Sequence, residues 1–149
     1  MPHPARHELG QTLMLALEDF QTRLDRDLDK KGFPGIRHRH RAIFMHLNRH
    51  GASRSVDLAA AAGIRPQSMM KIVHELEELK LVTREADPED SRAKLIEFTA
   101  GGKKLIAQLT ESTEAVWQQY AQLVGARKLE SSMATLRELI NCSAVQEIP

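Results

Sequence analysis

Apolar side chains at Leu9, Leu13, Leu17, Phe20, Leu24 and Leu28 return every three to four residues, the period of a helix with one buried face. They predict a long amphipathic first helix, ended by Gly32, Pro34 and Gly35. A second helix is expected from near Ile36 through Ile43, Phe44 and Leu47 to about His50, with Gly51 as its stop. The elements then shorten. Ser55 is placed to cap an alanine-rich helix, Val56 to Ala62, and Gly63 supplies a left-handed residue at its end. Pro66 fits the first turn of the next helix, whose apolar stripe is Met69, Ile72, Val73, Leu76 and Leu79. Leu58, Ala59, Ala61, Ala62 and Ile64 suit a close crossing of these two helices, because small side chains let backbones approach.

After Lys80 the pattern changes period. Val82 to Ala86 and Lys94 to Phe98 are short β-prone runs, and the Asp-Pro-Glu-Asp-Ser segment between them is turn chemistry. Asp87, Glu89, Asp90 and Arg92 lie at the tip of this hairpin. Thr99 is an N-cap for a long helical region carrying Leu105, Ile106, Leu109, Val116, Tyr120, Leu123 and Val124 at helical spacing. Gly125 breaks it, and Leu129, Met133, Leu136, Leu139 and Ile140 make a last helix. There is no internal repeat or low-complexity linker. The expected fold class is mainly α with a small β-hairpin wing, in one domain over 1–149. A winged helix-turn-helix occupies residues 36–99, between helical segments 1–35 and 100–149.

Composition narrows the choice of chemistry. A chain of 149 residues that is 42% hydrophobic holds a core, and no run approaches the roughly 18 apolar residues of a membrane span. MPHPARHELG lacks the apolar stretch of a signal peptide, and the lone cysteine, Cys142, makes no intrachain disulfide. A cytoplasmic protein is expected. Net charge is +1, but residues 36–94 hold 11 Lys/Arg against 8 Asp/Glu, while each flank holds 5 against 6. Five of the seven histidines also lie in that middle, so acid deepens its positive bias.

A helix fits the major groove, and side chains near its N-terminus can distinguish base edges. Gln67, Lys71 and His74 share one face by i, i+4, i+7 spacing, with Ser68 beside them. Gln67 suits adenine, Lys71 guanine or a phosphate, and Ser68 either; the competing reading is an ordinary solvated face. Arg92, just past the hairpin turn, suits the minor groove, with Asp90 orienting its guanidinium by a bidentate pair; the competing reading is a surface ion pair. Arg65, Arg84 and Lys94, with Arg37, Arg39 and Arg41, are candidate phosphate contacts, which set affinity and salt dependence rather than sequence choice.

These residues together resemble the MarR family of winged-helix transcriptional regulators. The resemblance rests on Leu58-Ala59, Gly63-Ile64, Gln67 through Leu76-Glu77, Leu81-Val82-Thr83-Arg84, Asp90-Ser91-Arg92 and Phe98-Thr99-Ala100-Gly101-Gly102. The last two groups are similar to the family's wing motif D-x-R and its L-T-x-x-G junction. The resemblance implies that Gln67, Ser68 and Lys71 fall on major-groove positions and Arg92 on the wing arginine. Arg65-Pro66 departs from the usual small polar helix cap, Lys80 stands where glycine is common, and Phe98 replaces leucine. A small-molecule pocket is also implied, for which Phe20, Phe44, Met45 and Trp117 are candidates, with core packing the competing reading.

The helical ends carry more apolar surface than the reader can cover, so a homodimer is expected, bringing two reading helices one DNA turn apart, about 34–36 Å, on a pseudo-palindromic operator. His46 and His50 stand at the chelating i, i+4 interval without a third ligand in sequence, so no metal or other cofactor is expected. Cys142 is expected to be buried rather than reactive. His38 and His40 are candidates for sensing pH, with surface solvation the competing reading. The expected partners are double-stranded DNA, a second copy and a small-molecule effector, and the expected role is a repressor. The alternative is a winged-helix protein-interaction module without DNA binding. An enzyme is not expected: there is no P-loop, no H-E-x-x-H, no Gly-rich dinucleotide loop and no acid–base set, His74-Glu75 lacking a second histidine.

Overall fold

The computed structural model describes residues 4–145. In chain order these form α1 (Pro4–His7), α2 (Leu9–Lys30), α3 (His38–His50), β1 (Ser53–Arg54), α4 (Ser55–Ala62), α5 (Pro66–Glu78), β2 (Val82–Asp87), β3 (Asp90–Phe98), α6 (Ala100–Val124) and α7 (Ala126–Val145). They fall into two compact units, one up to Ser112 and one from Thr113 onward.

In the first unit the core is the meeting point of the stripes read from sequence. Leu24 and Leu28 of α2, Ile43, Phe44 and Leu47 of α3, Leu58 and Ala59 of α4, and Met69, Val73 and Leu76 of α5 are buried with Ile96 of β3. Each such large side chain contributes about 1.5–3 kcal/mol by leaving water. Phe44 meets the ring of Phe98 with centroids 5.9 Å apart, joining α3 to β3. The α2 stripe divides: its last two leucines cover this core, whereas Leu9, Leu13 and Leu17 are 60%, 46% and 55% exposed.

The sheet has three antiparallel strands in the order β1-β3-β2. β2 and β3 form the hairpin, in register from Val82↔Phe98 to Ala86↔Lys94, after which the pairing jumps to Asp87↔Asp90 across a bulge. β1 adds Ser53↔Ile96 and Arg54↔Leu95. This strand has no counterpart in the sequence reading, since two residues give no alternation to detect.

Several local expectations are corrected. Ile36 is buried but precedes the helix; α3 starts at His38 because Arg37 is extended, at φ −125° and ψ 171°. Ser55 is the first residue of α4 rather than its cap, the N-cap position being taken by Arg54, which is committed to β1. Ala61 faces solvent and Ala62 is half-buried; Leu58 and Ala59 alone make the buried crossing, because Ala61 lies two positions round the helix from Ala59. Cys142 is exposed, on a helix whose neighbouring Leu139 and Ile140 are exposed too.

Two helix ends share one closure. Gly63, at φ 66°, and Lys80, at φ 58°, are left-handed, and the residue after each donates its N–H five residues back, Ile64 to Ala59 O at 3.1 Å and Leu81 to Leu76 O at 3.0 Å. Lys80 is the only non-glycine with positive φ among the described residues. Thr99 caps α6 as expected: its Oγ1 accepts the Gly102 N–H at 3.1 Å and donates to Lys80 O at 2.5 Å. Its N–H donates to Leu81 O at 3.1 Å.

Candidate nucleic-acid interface

α5 presents two unlike faces. Met69, Val73 and Leu76 are buried, and Gln67, Ser68, Lys71 and His74 are all exposed on the other side. Pro66 occupies the first helical position, where its missing N–H costs nothing, and no side chain caps this end. The amides of the first turn are therefore left without a side-chain cap, and Arg65 at the N-cap position is exposed. His74 lies 3.6 Å from Glu77 and 3.7 Å from Glu78, beyond hydrogen-bond length.

Carboxylate pairing sorts the candidate phosphate contacts. Arg37 binds Asp29 at 3.0 Å, Arg39 binds Glu75 at 3.2 Å, and Arg41, itself nearly buried, binds Asp25. Arg84 holds Glu77 at 2.5 Å. These four are structural ties, from α2 to α3, from α3 to α5 and from α5 to the wing. Sequence places them in the basic middle but is silent on acids brought from α2. By contrast, Arg65, Lys71, Arg92 and Lys94 are exposed and have no carboxylate partner among the described residues.

The wing is braced by a pair the sequence reading did not assign. Asp87 is 7% exposed; its carboxylate accepts the Glu89 N–H at 2.9 Å and the Arg54 guanidinium at 2.6 and 2.8 Å. The backbone N–H of Glu89, then Arg54, hold that carboxyl below its usual range, and Asp87 raises Arg54 in turn. Asp90 does not clamp the Arg92 guanidinium as expected. Its Oδ1 accepts the Arg92 backbone N–H at 3.0 Å, bending the chain and leaving the side chain exposed within the bulge. The wing thus has a fixed base, a two-residue Pro88-Glu89 turn and an uncommitted arginine.

Phe44 is wholly buried in the core, Met45 is 75% exposed, and Phe20 and Trp117 are each half-buried. A cleft of about 270 Å³ lies elsewhere, lined by Gly35, Arg39, His40, Glu75, Glu78 and Leu79. His46 and His50 rest against each other with ring centroids 4.5 Å apart, and no group of three metal-ligating side chains occurs among the described residues. His40, a surface sensor in the sequence reading, is buried. No described helix is long and apolar enough to cross a membrane.

Helix-turn-helix, exposed reading face and braced hairpin make this a winged-helix protein. The sequence model of the MarR family matches residues 34–93, which is α3 through the wing tip. Over those residues the chain is similar to the MarR family. No curated protein matches it. Among solved structures, it is similar to the apo form of wild-type MarR from E. coli, at 16% identity and TM-score 0.74, covering 88% of this chain and 96% of that one. A MarR-family transcriptional regulator from Rhodococcus sp. RHA1 shares 22% identity at TM-score 0.70, with 93% and 97% covered. Transcriptional regulator Tm0710 from Thermotoga maritima shares 21% at TM-score 0.67, with 93% and 95% covered.

Proposed function

We propose that this chain is a sequence-specific regulator that binds double-stranded DNA as a homodimer and acts as a repressor in the cytoplasm. The observation that carries the reading is the sorting of its cations. Wherever an arginine braces the fold it is neutralised by a carboxylate, whereas Lys71 on the exposed face of α5 and Arg92 on the wing are left bare. In this reading Gln67, Ser68, Lys71 and His74 enter the major groove, Arg92 the minor groove, and Arg65 and Lys94 meet phosphates. Arg84 acts indirectly, holding the wing to α5. Segments 1–35 and 100–149 pair two copies, burying Leu9, Leu13 and Leu17, and space the two α5 helices for a pseudo-palindromic operator.

A small-molecule effector would release DNA by favouring a dimer whose reading helices no longer match that spacing. No catalytic chemistry or cofactor is assigned. The test is a salt series on a bound duplex. Arg92→Ala should weaken binding about tenfold and flatten the slope of log affinity against log salt by nearly one unit. An unchanged slope and affinity would remove the wing from the interface.

A further inference from the structure

A reading helix is placed by the contacts behind it, and behind α5 stands one carboxylate. Glu75 follows His74 of the exposed row but turns inward, where its Oε2 meets His40 Nε2 at 2.8 Å and the Arg39 guanidinium at 3.2 and 3.3 Å. His40 is 1% exposed, and its Nδ1 accepts the backbone N–H of Arg37 at 3.0 Å. With Nδ1 accepting, the ring's single proton sits on Nε2 and is donated to Glu75. One buried imidazole therefore closes the first turn of α3 and tethers α5 at the same time.

We propose that the His40–Glu75 hydrogen bond positions α5 against α3 only while the imidazole is neutral, so that duplex binding weakens in mild acid. The consequence for DNA rests on the function proposed above; the positioning itself does not. A second proton would have to go on Nδ1, where it would face the Arg37 N–H, two donors 3.0 Å apart with no acceptor between them. The new cation would also lie beside Arg37 and Arg39. Facing it from α5 are Glu75, already shared with Arg39, and Glu78 across the cleft; from α2, Asp25 and Asp29 are taken up by Arg37 and Arg41.

Burial, then the two guanidiniums, hold the imidazole below its ordinary value of 6.5, with Glu75 working in the opposite direction. The cleft against His40 admits water and protons to this contact. The expected sign separates this device from the surface histidines. A histidine that touched phosphates directly would bind them more tightly once charged, whereas a charged His40 would loosen the interface.

The test compares wild type with His40→Gln, whose amide can reach Glu75 without titrating, between about pH 7.5 and about pH 5.5. Amide exchange of the free protein should show Arg37 and α5 losing protection on acidification in wild type and not in the variant. Duplex affinity should fall about threefold or more in wild type and hold or rise in the variant. Should His40→Gln fail to melt cooperatively, Glu75→Gln replaces it, with weakened binding at neutral pH and a flatter pH profile expected. Parallel exchange and parallel affinity profiles in wild type and variant overturn the positioning role. Acid-sensitive exchange in a protein that binds no duplex at either pH sustains the positioning role and overturns the DNA-binding reading instead.

Discussion

Gly102 is the position where the segment leading into β2, the end of β3 and the start of α6 meet, and replacing it with alanine should cost more than replacing Gly101. A Cβ there would lie 2.1 Å from Leu81 O and 2.8 Å from Cδ1 of Phe98. The phenyl ring can swing, but the carbonyl cannot move alone. Leu81 O accepts the Thr99 N–H, and Lys80 O on the preceding peptide accepts the Thr99 hydroxyl that caps Gly102. Relief therefore requires parting β2 from the start of α6. Overpacking costs about 1–3 kcal/mol and a lost hydrogen bond about 1 more, against about 1 regained because alanine suits a helix better.

A net loss of about 1–3 kcal/mol lowers the melting temperature by roughly 2–12 °C for a chain of this size. Gly101→Ala is the control: its Cβ would sit 3.2 Å from Lys80 O, a few tenths of an ångström too close, so helix propensity and strain nearly cancel. Thermal melts of both variants followed by circular dichroism decide the matter. Equal melting temperatures for Gly101→Ala and Gly102→Ala would refute the steric argument.

Lys80→Gly should raise stability by about 0.5 kcal/mol, since relief of a left-handed lysine slightly exceeds the entropy glycine adds to the unfolded chain; a lower melting temperature would contradict this. Asp87→Asn should loosen the wing and lower the melting temperature at neutral pH. Because the folded carboxyl is held below 3.8, its stabilisation is present above that value and lost as pH falls through the folded value, so wild type and variant should converge in strong acid. A constant gap at every pH would show that charge is not what braces the hairpin. Leu13→Glu with Leu17→Glu should leave a folded monomer in sedimentation, since both leucines are exposed in the single chain; an intact dimer would move the pairing surface off α2.

Apolar period carries most of the fold. The stripe of α3, the last two leucines of α2, and Met69, Val73 and Leu76 of α5 named the core, whereas Leu79 of the expected α5 stripe is exposed; Gly63, Gly125 and Thr99 marked real ends because each acts through its own backbone or side chain. Features that depend on distant partners were not legible. Arg37, Arg39, Arg41 and Arg84 read as free cations, but folding brings Asp29, Glu75, Asp25 and Glu77 against them. His40 read as a surface histidine for the same reason. Arg54 and Asp87 lie 33 residues apart, and a two-residue strand with no periodic signal brings them together. The exposed row on α5 survived intact, because i, i+4 spacing on one helix is fixed by local geometry.

Selection of bound duplexes from random sequence by the wild-type chain shows whether paired α5 helices read base sequence. The expected result is enrichment of an inverted repeat with half-site centres about one helical turn, 10–10.5 base pairs, apart, and an altered preferred half-site for Gln67→Ala or Lys71→Ala. A bound pool no different in sequence from the input, or one unchanged by either substitution, would contradict it.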